Sequence, residues 1–214
     1  TADHKTGFII TLACETDFVA KNADFVTFAK HIMDAAIKSN VNSLDELLSV
    51  KLEGVSVADK INDQVAKIGE KIQLTRFERV DADAVAAYIH GAHRMGVLVG
   101  LSKNNSEVLE AGKDLAMQIA AMNPVAVDAD SVSPETVERE KSIVTEQIKN
   151  DPKMAGKPNE MIEKIALGKL SAFFKENTLL AQPFVKDQSK TVGDYLKSVD
   201  NSVKVTQFKR VQLG

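Results

Sequence analysis

Nine residues near the middle of this 214-residue chain return near its end, and that recurrence limits the available folds more than any other feature. Ile72-Gln73-Leu74-Thr75-Arg76-Phe77-Glu78-Arg79-Val80 aligns with Val203-Lys204-Val205-Thr206-Gln207-Phe208-Lys209-Arg210-Val211. Four of the nine positions are identical, and apolar character is kept at Ile72/Val203 and Leu74/Val205. A second anchor pairs Gly7-Phe8-Ile9-Ile10-Thr11-Leu12 with Gly96-Val97-Leu98-Val99-Gly100-Leu101, each an apolar run opened by glycine and read as a strand. Helices are expected after both. Phe25, Phe28, Ala29, Ile32, Met33 and Ala36 keep a 3.6-residue stripe over Ala23 to Ile37, and Leu115, Ile119 and Met122 do so within Glu107 to Met122. Each copy therefore reads as strand, helix, further helical material and strand.

The copies differ in length. Gly7 to Val80 is 74 residues and Gly96 to Val211 is 116, a surplus of 42 in the second. Ser133-Pro134-Glu135 has the form of a capped helix start. Val137, Val144 and Ile148 follow as one thin apolar seam, and after breakers at Asp151-Pro152 and Gly156-Lys157-Pro158, Met161, Ile162, Ile165, Leu170 and Phe173 give another. The expected insertion, at about 133–178, is an antiparallel hairpin of two helices of ~15 residues, each ~22 Å long. The first copy carries its own surplus, about six residues between strand and helix when Lys30 is laid on Lys113. These are the residues around Thr16 to Asn22, and function is often grafted at such a turn.

Val85 to His90 reads as an extra strand ahead of the second copy, reached by a turn at Asp81-Ala82-Asp83 and left at Gly91. Its counterpart would precede Thr1, so the chain is expected to lack the first strand of its first repeat. Capping-box spacings at Ser43/Glu46 and Thr191/Asp194 open short helices over Leu44 to Val50 and Val192 to Ser198. Val57 to Ile68 is a third amphipathic run, stopped by Gly69. The repeat puts the domain boundary at 83/84, giving subdomains 1–83 and 84–214.

Thirty acidic and 27 basic side chains, with no block of either sign, give no electrostatic support for nucleic-acid binding. No apolar run approaches the ~20 residues of a membrane span. Cys14 alone cannot form an internal disulfide, consistent with a reducing compartment. His90 and His93 lack a third ligand in support, so no metal site is assigned, and a surface or partner-contact role suits His90 better. No nucleophilic triad and no phosphate loop is present, and the carboxylates are scattered; nothing points to an enzyme or a cofactor. Phe18 is ambiguous. It lies seven residues before Phe25, in phase with the helix stripe, which favours the core; but Asp17 precedes it, Thr16 is a plausible helix cap, and the piece is surplus to the repeat. Lys21 and Asn22 read as solvated face.

Thr16-Asp17-Phe18-Val19-Ala20-Lys21-Asn22 after the strand resembles the signature of the elongation factor Ts family. Ala66-Lys67-Ile68-Gly69-Glu70-Lys71-Ile72, Tyr88-Ile89-His90-Gly91-Ala92-His93-Arg94-Met95-Gly96-Val97-Leu98-Val99, Gly156-Lys157-Pro158, Gln182-Pro183-Phe184-Val185 and Ser189-Lys190-Thr191-Val192 resemble further family segments in order, so nearly the whole chain is covered. The resemblance implies an α+β fold of two similar subdomains, each a small antiparallel sheet packed with helices, the second with a protruding helical coiled coil. It implies a nucleotide exchange factor for elongation factor Tu that acts without covalent chemistry, in the bacterial cytoplasm or an organelle. It also implies that this is a core region, without the family's N-terminal ubiquitin-associated-like domain or C-terminal helical module. By the same resemblance Asp17 and Phe18, within Thr16 to Val19, intrude on the partner and dislodge its Mg²⁺, while Ile68, Gly69 and His90 make further contacts. His93 is additional to the family pattern. The alternative reading is an assembly protein that forms a homodimer through the helical hairpin.

Overall fold

The computed structural model describes residues 1–154 and 157–213, so Gly156 of the expected breaker lies outside the described residues. In chain order the elements are β1 (Thr6–Ala13), α1 (Asp17–Ala20), α2 (Ala23–Ser39), α3 (Leu44–Ser49), β2 (Lys51–Leu52), β3 (Val55–Ser56), α4 (Val57–Ile68), β4 (Gln73–Asp81), β5 (Ala84–His90), β6 (Met95–Leu101) and α5 (Ser106–Met122). There follow α6 (Pro134–Lys149), α7 (Asn159–Asn177), β7 (Pro183–Phe184), β8 (Asp187–Thr191), α8 (Val192–Val199) and β9 (Val205–Gln212), with single 3-10 turns at Pro152–Met154 and Leu179–Ala181. The chain divides into two compact units, Thr1–Ala116 with Thr206–Gly214, and Met117–Val205. The 83/84 boundary drawn from the repeat is one of sequence likeness; contacts divide the chain elsewhere.

The fold is mixed α and β with small antiparallel sheets, as the family resemblance implied. β1 pairs antiparallel with β4, Gly7 opposite Val80, with a register shift between Thr11 and Leu12. β5 and β6 form an antiparallel hairpin, and β9 lies on the other side of β6. A Cβ on Gly7 would fall 2.7 Å from Val85 Cγ1 and 2.8 Å from Leu98 Cδ2, so β1 lies directly against β5 and β6. Val80, Val85 and Leu98 fill this contact with Ile9 and Ala82.

The larger core of the first unit is built on the α2 stripe. Phe25, Phe28, Ile32 and Ala36 are buried against Leu47 of α3, Val57 and Ile61 of α4, and Ile72 and Leu74. Each large side chain removed from water contributes on the order of 1.5–3 kcal/mol, far more than the few tenths at stake in helix propensity, so the stripe decides the helix. Asn22 caps its start, accepting from Asp24 N at 2.8 Å, and Asn40 ends it in the left-handed region at φ 49°. Arg79 ties the end of α2 to β4. Its guanidinium donates to the carbonyls of Asn40 and Val41, both at 3.1 Å, and to both Asp81 carboxylate oxygens at 2.7 and 3.0 Å. That guanidinium, with the Thr6 hydroxyl, holds the Asp81 carboxyl below the usual carboxylate range.

Two small hairpins were not expected from the sequence. In the β2–β3 turn Glu53 (φ 54°) and Gly54 (φ 86°) both take positive φ, the geometry of a tight hairpin turn in which Asn or Asp usually precedes the glycine. Glu53 hides that signal. The β7–β8 hairpin is similarly masked by its brevity.

In the second unit, Ser133 caps α6 by accepting from Thr136 N at 3.2 Å, with Pro134 in the first turn. α6 and α7 pack on each other, and Lys169 Nζ donates to Gln147 Oε1 at 3.1 Å. Val144 and Ile148 are buried, but Met161 of the expected second seam is exposed. A helix pair covers only one side of each helix, and Met161 stands in the first turn of α7. Met122, the last residue of the α5 stripe, is exposed as well. The buried Gln118 is fully engaged: it donates to Gln182 Oε1 and the Pro183 carbonyl, both at 3.2 Å, and accepts from Val185 N at 2.8 Å. The Phe184 and Tyr195 rings stack at 4.2 Å. No helix among the described residues is long and apolar enough to cross a membrane.

Candidate functional site

The surplus residues of the first copy form a helix of their own. Residues 14–22 separate β1 from α2, where only residues 102–105 separate β6 from α5, and the difference is filled by α1. Thr16 has extended backbone angles, φ −120° and ψ 151°, and its Oγ1 accepts from Val19 N at 3.4 Å. Asp17 follows in the first turn, where a negative charge is favoured by the helix dipole. Lys21 reaches back to Asp17 at 3.5 Å.

Four residues are too few to be helical alone, since nucleation fixes several residues for each hydrogen bond gained. Tertiary ties supply the rest. Val19 packs against the core of α2, α3 and α4. Asn22 N donates to the Val19 carbonyl at 3.0 Å while the Asn22 side chain caps α2, so one helix ends where the next begins. The Glu70 carboxylate accepts from Glu15 N (3.1 Å), Thr16 N (3.0 Å) and Thr16 Oγ1 (2.6 Å). Arg94 donates to Asp17 Oδ1 at 2.5 Å.

Phe18 stands on this clamped helix with 89% of its surface exposed. The in-phase spacing to Phe25 that favoured the core does not apply, because α1 and α2 are separate helices and Lys21-Asn22 interrupts the phase. The apolar anchor of α1 is Val19, which is half-buried.

Ile68 ends α4, half-buried against the same core, and Gly69 takes φ 81° beyond it, the left-handed conformation that glycine adopts without Cβ strain. His90 ends β5 opposite Met95, exposed, its Nδ1 2.9 Å from the Tyr88 hydroxyl. Gly91, Ala92 and His93 follow at φ 63°, 51° and 69°, a left-handed turn that delivers Arg94. The structure thus links the predicted site residues through two side chains that sequence reasoning did not select. Glu70 joins Thr16 to the Ile68-Gly69 corner, and Arg94 joins Asp17 to the turn after His90. Each had a signal: Glu70 is the first residue beyond a helix-stopping glycine, and Arg94 is the cation of a turn with two histidines.

A groove of about 600 Å³ runs beside this assembly, lined by β1, α1, α2 and the β5–β6 hairpin, with Glu15, Asp17, Lys21, Lys30 and Arg94 as its charged members and Ile89 and Met95 among its apolar ones. Cys14 also lines it. Burial raises the thiol pKa, and the Glu70 and Asp17 carboxylates push it the same way, so the thiol is poorly suited to act as a nucleophile. Among the described residues no group of three His, Cys, Asp or Glu side chains is placed to hold a metal ion. The arrangement presents a rigid apolar corner flanked by charge, which is suited to binding.

Comparison with known proteins shows the family. The model of the family "Elongation factor TS" matches residues 15–214. Proteins named Elongation factor Ts from Christiangramia forsetii and Amoebophilus asiaticus are 43% and 44% identical to this chain, over 99% and 100% of its length and 75% and 76% of theirs. One of the same name from Hydrogenobaculum sp. is 41% identical over 97% of this chain and 74% of its own. With a family match across nearly its whole length and relatives more than 40% identical, the chain belongs to the elongation factor Ts family of translation elongation factors.

Proposed function

We propose that this chain is a guanine nucleotide exchange factor for elongation factor Tu, working in the bacterial cytoplasm and releasing GDP by binding alone. The observation that carries the reading is Phe18, 89% exposed on a helix held at both ends. An aromatic side chain held out in water on a hydrogen-bonded mount is suited to insertion into an apolar pocket of a partner, since aromatic residues are enriched at the cores of protein interfaces.

The mechanism is a linkage. A factor that binds the nucleotide-free partner more tightly than the GDP-bound partner weakens GDP binding by the same factor. Burying Phe18 in a pocket that opens only when the partner's elements shift contributes ~1.5–3 kcal/mol, or roughly 10- to 100-fold in release rate. Asp17 acts beside it. Its charge, shared between Arg94 and Lys21 in the free chain, disturbs the surroundings of the partner's Mg²⁺ rather than taking up the ion, because a single carboxylate is a poor site for an octahedral cation. Thr16 and Val19 hold the pair in place, and Ile68, Gly69 and His90 extend the contact surface. The two repeats, 1–83 and 84–214, form the body, and the α6–α7 pair serves as a protruding coiled coil.

Calorimetric titration of this chain into elongation factor Tu, nucleotide-free and with excess GDP, tests the linkage. The reading requires clearly tighter binding to the nucleotide-free form; equal affinity for the two forms contradicts it.

A further inference from the structure

We propose that Glu70 is a positioning residue for α1: its carboxylate fixes Thr16, and through it the direction in which Asp17 and Phe18 are presented, and it couples that helix to the Ile68-Gly69 corner. The functional consequence rests on the exchange-factor reading; the geometry does not.

The two oxygens of Glu70 have separate tasks. Oε2 accepts from two successive backbone N–H groups, Glu15 at 3.1 Å and Thr16 at 3.0 Å, and Oε1 accepts the Thr16 hydroxyl proton at 2.6 Å. A threonine hydroxyl has one proton to donate and two lone pairs. Directing the proton at Glu70 leaves the lone pairs for Val19 N, the helix-capping bond of α1. Glu70 therefore sets the polarity of the cap as well as its position. Charge-assisted bonds of this kind are roughly twice as strong as neutral ones.

A return strap runs the other way. Glu15 Oε2 accepts from Lys71 N at 3.1 Å, so residues 15–16 and 70–71 are joined by four hydrogen bonds. The left-handed Gly69 turns the chain directly before Glu70. The Ile68-Gly69 corner is thereby tied to the start of α1 by direct hydrogen bonds. Val19 anchors the other face of α1 in the core but sets no direction about its own side chain. The direction comes from the Glu70 carboxylate at Thr16, with Arg94 holding Asp17 one residue on.

The test uses Glu70→Ala and Glu70→Gln in the full chain, with two readouts. Amide hydrogen exchange at Glu15, Thr16 and Val19 reads the mount directly, with Ile32 in the buried part of α2 as the control for folding. Release of fluorescent GDP from elongation factor Tu, followed across factor concentrations, reads the consequence. In Glu70→Ala the three amides should exchange about ten-fold faster or more, with Ile32 unchanged, and the maximal release rate should fall by about ten-fold, more than the half-saturating concentration changes. Glu70→Gln should recover protection at Glu15 and Thr16 and part of the rate, since its amide oxygen still accepts from the two backbone N–H groups, but should recover less at Val19, since its NH2 cannot accept the Thr16 hydroxyl proton. Unchanged protection at Glu15 and Thr16 in Glu70→Ala overturns the proposal, as does lost protection with an undiminished maximal rate. If the parent chain itself fails to accelerate GDP release, the exchange reading fails, and the amide data alone decide whether Glu70 holds α1.

Discussion

Replacing Phe18 with alanine separates function from stability more cleanly than any other single change. Phe18 is 89% exposed, so truncation removes almost no buried area from the free chain. Surface substitutions of this kind stay within about 0.5 kcal/mol, and for a chain of this size that is a shift of roughly 1–2 °C or less in Tm. In the complex the same ring is proposed to enter an apolar pocket, where its burial is worth about 1.5–3 kcal/mol. Nearly all of that difference should fall on GDP release, which slows by roughly 10- to 100-fold, with only modest weakening of complex formation. The experiment pairs a thermal melt with stopped-flow release of fluorescent GDP from elongation factor Tu. A drop of many degrees in Tm with an unchanged release rate would refute the reasoning, because it would make Phe18 a packing residue.

Two further outcomes test the fold beneath the site. In Gly112→Ala the new Cβ would lie 2.7 Å from Ala86 Cβ and 2.7 Å from Leu101 Cδ1; Leu101 can rotate away, but Ala86 moves only with its strand. Overpacking of about 1–3 kcal/mol should outweigh the ~1 kcal/mol gained in helix propensity, so a thermal melt should show a lower Tm, and a rise would contradict the close approach of α5 to the sheet. In Asp81→Asn the sign of the pH dependence is fixed by the Arg79 and Thr6 hydrogen bonds, which depress the folded-state pKa. Such a group adds stability above its unfolded value near 3.9, and that stability is lost as pH falls through the folded value. With 56% of the Asp81 side chain exposed, screening keeps the effect below about 1 kcal/mol. The variant should melt lower than the parent at pH 7, with the gap closing as pH falls through and below the ordinary carboxylate range, and a constant difference at all pH values would contradict the pairing.

What the sequence made legible was whatever rests on periodicity and capping. The α2 stripe, the Ser43 and Thr191 caps and the Gly69 stop all depend on residues a few positions apart, and each stands where expected. Phe18 marks the limit of that reasoning. Its seven-residue spacing to Phe25 is a core signal only if one helix carries both, and the break at Lys21-Asn22 is set by two caps meeting back to back. Glu70 and Arg94 carried only a local hint, a place after a helix-stopping glycine and a place in a turn, and their roles were hidden for a different reason. Their partners lie 54 and 77 residues away, and a lone carboxylate or guanidinium in a loop reads as solvated surface until the fold brings a backbone amide or an aspartate to it. Glu53 similarly concealed the β2–β3 turn by taking a positive φ that its residue type rarely adopts.

Whether binding of this chain expels GDP from elongation factor Tu is read most plainly from the GDP release rate against chain concentration. For an exchange factor the rate rises with concentration and saturates well above the spontaneous value. A rate that stays at the spontaneous value while the two proteins demonstrably bind would contradict the exchange reading.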